Sequence, residues 1–104
     1  MRLDKLIEIQ ERDEETESWI PYRKILARIN SARVGETYGN GSESAEHSLT
    51  FEVRYQPFLD IIRFETGRFR IVYLGHAFNV TGYDDYFEEH SRIRITGESY
   101  GEAV

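Results

Sequence analysis

The sequence predicts an all-β fold, a small barrel or sandwich, and three observations carry that expectation. Apolar residues recur with period 2 rather than period 3.6, the signature of pleated strands with one face inward. Six such short runs are separated by polar or glycine-bearing segments, and little of the chain reads as helix. Seven Tyr, six Phe and one Trp supply large side chains to a chain of 104 residues whose hydrophobic share is 39%. Each aromatic buries a large area, which helps so short a chain hold a core.

The first element is read at residues 5–11. Leu3, Leu6, Ile7 and Gln10 also fit a helical face, but the β-branched pair Ile7 and Ile9 around Glu8 favours a strand. Glu11 to Ser18 follows with five acids, one base and no hydrophobe. In 23–33, Ile25, Ala27 and Ile29 alternate with Lys24, Leu26, Arg28 and Asn30. Ala, Leu, Lys and Arg are good helix formers, yet neighbouring strands favour a sheet here too. Residues 35–48 hold three Gly, three Ser and three Glu, with Tyr38 as the only large apolar side chain. A segment of that length without structure of its own is usually functional or disordered.

The second half is more regular. Leu49, Phe51, Val53 and Tyr55 alternate with Thr50, Glu52 and Arg54 until Gln56-Pro57 ends the run. Phe69, Ile71 and Tyr73 repeat the pattern, and so do Ile93 and Ile95. Residues 68–74 and 77–83 are expected to form a hairpin. Gly75 would take the first central position of a type II′ turn, with His76 beside it in the turn. Asp84, Asp85, Glu88 and Glu89 surround Tyr86 and Phe87 in a turn read as acidic and solvated. Eleven of the fourteen aromatics lie after residue 50, so the core should come mainly from the C-terminal half.

Composition excludes several function classes. Net charge is -6, from 13 basic and 19 acidic residues, with -3 in residues 1–50 and -3 in 51–104. A protein gripping duplex phosphates normally shows the opposite balance. Cysteine is absent, which removes disulfides, Cys-based zinc sites and thiol nucleophiles. No apolar run approaches the roughly 20 residues that span a bilayer. Met1 to Lys5 leads into charges rather than an apolar region, so no signal peptide and a cytoplasmic setting are expected. No repeat or linker divides the chain, and a single domain over 1–104 is expected.

The chemistry-bearing residues form no catalytic pattern. His47, His76 and His90 lack metal-motif spacing, and the 84–89 acids lack the alternation and central Gly of an EF-hand. Gly35, Gly39 and Gly41 precede no Lys-Ser/Thr, as a phosphate-binding loop would require. No serine stands in a nucleophile elbow, and no pair among the 19 carboxylates is singled out. Neither catalysis, a metal nor a cofactor is expected. Arg54, Arg68, Arg70, Arg92 and Arg94, placed outward among aromatics, would suit an OB-like single-stranded nucleic-acid binder. The net acidity favours reading them as solvent-face residues paired with the abundant acids.

The order of motifs resembles the phage head–tail connector family, also called head–tail adaptor, joining or stopper proteins of long-tailed phages. The similarity runs from Leu6-Ile7-Glu8-Ile9-Gln10 through Trp19, Ile25-Leu26-Ala27-Arg28-Ile29 and Gly35-Glu36-Thr37. It continues with His47-Ser48-Leu49-Thr50-Phe51-Glu52-Val53-Arg54-Tyr55, Arg70-Ile71-Val72-Tyr73-Leu74-Gly75, Phe78-Asn79-Val80 and Arg92-Ile93-Arg94-Ile95 with Glu98, covering about residues 3–98. Two positions depart from the family pattern. Leu26 stands where members often carry Trp, and Tyr83-Asp84-Asp85 only approximates their Asp or Asn turn.

The resemblance implies a six-stranded β-barrel with a long flexible loop near residues 35–48 and no catalytic residues. It implies a homo-oligomeric ring beneath the portal vertex, assembled from copies that can be monomers in isolation. The partners implied are the portal or adaptor protein and the tail proteins. DNA would pass through the channel without tight binding, and no membrane is involved. The site implied is the virion neck, reached from the host bacterial cytoplasm during assembly. On this reading Gly35, Glu36, Thr37, Tyr38, Gly39, Asn40, Gly41, Ser42, Glu43, Ser44, Ala45, Glu46 and His47 form the assembly and channel loop. Asp84, Asp85, Glu88 and Glu89, or the acidic stretch 11–17, would contact the adaptor or tail.

Overall fold

The structure, a computed structural model, describes residues 3–31, 47–85 and 89–99. Six antiparallel strands carry the chain: β1 (Lys5–Asp13), β2 (Ser18–Ser31), β3 (His47–Arg54), β4 (Phe69–Tyr73), β5 (His76–Asp85) and β6 (Arg92–Ser99). They pair in the order β1-β2-β3-β6-β5-β4, and β4 returns to β1 through Glu8↔Val72 to Glu11↔Phe69, closing the barrel. Closure leaves no strand wholly at an edge, as an open sheet of this size would.

The period-2 residues of the sequence point into this barrel. Ile7, Ile9, Ala27, Phe51, Val53, Phe69, Ile71, Phe78, Val80, Ile93 and Ile95 are buried on the strands. Leu59 and Ile62, from the β3–β4 connection, close one end, making thirteen buried hydrophobic residues among those described. Ten of the thirteen lie after residue 50, as the distribution of aromatics leads one to expect. Phe51 is central, meeting Phe78 edge-on at 5.7 Å and Tyr73 at 6.4 Å between ring centroids. Gly97 makes room for them. A Cβ there would lie 2.9 Å from the Phe78 Cβ and 3.3 Å from the Phe51 ring.

Three expectations are corrected. The hairpin joins Tyr73 to His76, so the two loop residues are Leu74 and Gly75, with φ of 53° and 80°. Positive φ at both centres marks a type I′ turn rather than type II′: Gly75 occupies the second position and His76 begins β5. The mirror-image twist of this turn matches the right-handed twist of the strands it joins.

The β3–β4 connection is helical, with a 3-10 turn at Pro57–Leu59, helix α1 (Asp60–Phe64) and a second 3-10 turn at Thr66–Arg68. Pro57 suits a helical first turn because no partner is needed for its missing N–H. Leu59 and Ile62, three residues apart, turn one side of this short segment inward. Arg68 consequently lies in a turn and not on an outward strand position.

β2 begins at Ser18, five residues before the expected 23, because a bulge lets Pro21 sit in the ladder. Ile9 faces Arg23 and Gln10 faces Pro21, so Tyr22 is the extra residue. Its hydroxyl donates to the Phe58 carbonyl at 2.7 Å, and its ring meets Phe69 at 5.3 Å. β2 pairs with β3 only over Arg28–Ser31. Over residues 18–27 its one sheet partner among the described residues is β1, and Phe58 fills part of the gap that opens beside it.

Candidate functional site: the two barrel ends

Antiparallel strands sort the connections by end. The β1–β2 turn, the helical β3–β4 connection and the β5–β6 turn belong to one end. The start of β1, the junction from Ser31 to His47, the Leu74–Gly75 turn and the close of β6 belong to the other. The two acidic stretches therefore share an end, opposite the place where residues 35–47 join β2 to β3. Residues 35–46 lie outside those described; His47 opens β3 and pairs in register with Ser99.

The β1–β2 turn is tied by its own backbone. The Glu17 amide donates to the Asp13 carbonyl at 2.6 Å, and the Glu15 amide to Asp13 Oδ1 at 3.0 Å. Glu17 adopts φ 59°, and Glu14, Glu15, Thr16 and Glu17 are exposed. Arg12 reaches Glu17 at 3.8 Å, while Arg68 binds Glu11 and, at 2.6 Å, Glu65. An open hollow of about 400 Å³ lies against this turn, lined by acids together with Arg12, Ile20 and Arg68.

The β5–β6 turn is built differently. Asp84 is exposed and faces Arg94 in register, and Glu89 is exposed. Asp85 is buried, its side chain 2% exposed, and Glu88 lies outside the described residues. The Asp85 carboxylate accepts from the His90 amide at 3.0 Å and binds His90 Nδ1. Tyr55 stacks on the His90 ring at 4.4 Å and donates its hydroxyl to both Asp60 carboxylate oxygens at 3.0 and 3.1 Å. Burial raises the Tyr55 phenol above its ordinary pKa, and the Asp60 hydrogen bond and negative charge raise it further. Tyr83 is raised for the same first reason, with Asp60 and Asp85 adding to it. This interlock fixes the turn, so Asp85 is an internal clasp and not a solvated acid.

Three of the five arginines expected outward, Arg68, Arg70 and Arg94, are engaged within the chain. Arg94 reaches Glu52 at 3.4 Å, and Arg70 donates to Gln10 at 2.7 Å while lying over the Trp19 ring at 4.6 Å. With Arg68 held by Glu11 and Glu65, these three cations are taken up by groups of the chain itself and do not form a free cationic track for single strands. Among the described residues no three His, Asp or Glu side chains converge as metal ligands. None of their helices is long and apolar enough to cross a membrane.

One surface escaped the sequence reading. Leu6 and Leu26 are paired across β1 and β2 and are 61% and 51% exposed. They edge an open groove of about 740 Å³, bounded also by Leu3, Phe58, Lys24 and Arg54, where β2 parts from β3. The signal was in the sequence. Leu6 and Leu26 each occupy the outward phase of an alternating strand, where a polar residue is the rule.

A closed barrel that uses His90 and Tyr55 to hold a turn has the character of a structural building block. Residues 2–98 match the model of the phage head completion protein family, and the chain belongs to that family. It is a structural, non-enzymatic component of the virion at the head–tail junction, and it acts with other virion proteins. No curated protein gives a significant match to the chain.

Proposed function

We propose that copies of the chain form a ring at the portal vertex, joining capsid to tail and completing the DNA exit channel. What supports this reading is that the strand junctions flanking the two candidate segments, Ser31 to His47 and Asp85 to Arg92, lie at opposite barrel ends. A subunit of a stack needs two distinct faces, one toward the head and one toward the tail. The segment Gly35 to His47, polar and glycine-rich, serves as the assembly and channel loop and orders when neighbours meet it. The acidic end, with Asp84, Glu88, Glu89 and the 11–17 stretch, meets the portal, adaptor or tail, and Asp85 holds that surface in shape. The net charge of -6 suits a conduit past which DNA slides without sticking.

Negative-stain electron microscopy of portal-bearing capsids from the same phage, with and without the protein, tests the proposal. A ring of added density at one vertex is the expected result. Capsids that stay bare across a range of salt concentrations would remove it. Deleting residues 38–46 should leave the barrel folded by circular dichroism and abolish the ring; a deletion variant that assembles normally would free the loop from this role.

A further inference from the structure

We infer that copies of this chain associate head to tail, the acidic tip of the β1–β2 hairpin of one copy seated in the Leu6–Leu26 groove of the next. The inference rests on the ring proposal and adds to it the pair of surfaces that would make the ring. Residues 13–17 present four carboxylates and no cation, with Ile20 beside them 43% exposed. The groove presents the reverse, exposed leucines flanked by Arg23, Lys24 and Arg54. Lys24 and Arg54 have no ion pair among the described residues, so both cations are available to a neighbour. Arg23 is already ordered: it donates to the Tyr22 carbonyl at 2.8 Å and lies 4.8 Å over both the Tyr22 and Phe58 rings.

The tip cannot fill its own groove. Leu6 and Glu15 are nine residues apart along one extended strand and its turn, about 30 Å at ~3.3 Å per residue. A tip-to-tip contact would set carboxylate against carboxylate, and a groove-to-groove contact cation against cation, both repulsive. The complementary pairing is therefore heterologous, using two different patches of each copy, and such contacts close into rings when the rotation allows. In a protein of net charge -6, this one pairing of opposite signs also sets the orientation of encounter.

The absence of cysteine permits a direct test. Concentrated Glu15→Cys protein is mixed with Leu26→Cys protein and treated with a short bis-maleimide. The expected result is a 15–26 cross-linked dimer in about tenfold excess over 15–15 and 26–26 products, and a loss of that excess at high salt. Equal yields of the three products, or none of them, would overturn the inference. Charge reversal supplies a second reading that also controls for folding. Introduced into the two Cys-bearing chains, Glu14→Lys with Glu17→Lys, or Lys24→Glu with Arg54→Glu, should each abolish the cross-link. A chain carrying all four changes should recover it, since each contact then pairs a reversed tip with a reversed groove. A folded fourfold variant that stays unlinked would sink the proposal. The capsid experiment separates the two claims: bare capsids with unaltered protein count against the portal ring, while decoration unaffected by either reversal counts against this interface alone.

Discussion

The β1–β2 hairpin and the four strands that follow it use their apolar residues in different ways. β3 to β6 and their helical connection contribute ten of the thirteen buried hydrophobic residues, including all three buried Phe rings. β1 and β2 contribute Ile7, Ile9 and Ala27, yet they display three of the five large apolar side chains that are exposed among the described residues: Leu6, Ile20 and Leu26. Most large apolar side chains after residue 50 stabilise the barrel, whereas Leu6, Ile20 and Leu26 of the hairpin lie where another chain can cover them. A large exposed apolar pair on a sheet face is informative in a way that a buried one is not. Stability and assembly should therefore be separable by mutation.

The sharpest break sets Phe51→Ala against Leu26→Ser. Phe51 is fully buried, and its removal opens a cavity beside Phe78 and Tyr73. A loss of about 3–5 kcal/mol is expected, read as a large fall in the urea midpoint. Leu26→Ser should change stability by no more than about 0.5 kcal/mol while weakening association. If Leu26→Ser unfolded the chain as Phe51→Ala does, the division between the two regions would be wrong. Gly97→Ala comes next. Its new Cβ, 2.9 Å from Phe78, must displace a core side chain, for a cost of about 1–3 kcal/mol. Asp85→Ala should cost about 1–3 kcal/mol, because it strips the His90 amide and ring of their shared acceptor. Thermal melts compare all three with the unaltered chain.

How much of this was legible in the sequence follows from how strictly each segment keeps its period. Leu49 to Tyr55 and Arg92 to Thr96 alternate without interruption, and their strands appear where the alternation puts them. β2 starts earlier than its alternation shows because Pro21 and the extra residue Tyr22 break the count; the bulge that absorbs them is a pairing event visible only with β1 in place. The same limit hid Asp85. Counting by twos from Phe78 and Val80 sends Asp84 inward. A register shift between Val80 and Gly82 inserts Thr81, however, and Tyr83 and Asp85 take the inward phase instead. Helix α1 is five residues long, too short to show a period, although Pro57 followed by Leu59 and Ile62 was its trace. The groove was half legible: outward Leu6 and Leu26 are plain in the sequence, but the parting of β2 from β3 that makes them a groove is not.

Alkaline pH probes the acidic end without touching the hairpin. Tyr83 has its pKa raised in the folded chain, so the fold favours the neutral phenol. Its contribution is fully present below the ordinary tyrosine value near 10, and it is lost as pH rises from there through the raised folded value. The buried Tyr83 hydroxyl has no hydrogen-bond partner among the described residues. Tyr83→Phe should consequently leave stability at neutral pH unchanged or raise it by about 1 kcal/mol, and should flatten the fall above pH ~10. A Tyr83→Phe chain with the same alkaline slope as the parent would show that this phenol does not carry the effect.

The smallest effect is expected at the opposite end, in the type I′ turn. Leu74 is 77% exposed and holds φ 53°, a conformation in which its Cβ crowds the following carbonyl. Gly75, at φ 80°, carries no such penalty. Asn tolerates the left-handed region better than Leu, and Asn-Gly is the preferred pair for this turn. Leu74→Asn should therefore stabilise the barrel by about 0.5–1 kcal/mol, a rise of a few degrees in Tm for a domain of this size. It should leave the tip-to-groove cross-link unchanged, since Leu74 belongs to neither surface. A Leu74→Asn chain that melts normally but fails to associate would move the interface from the β1–β2 hairpin to the β4–β5 turn. The exposure of Leu74 would then be read as that of Leu6 and Leu26 is here.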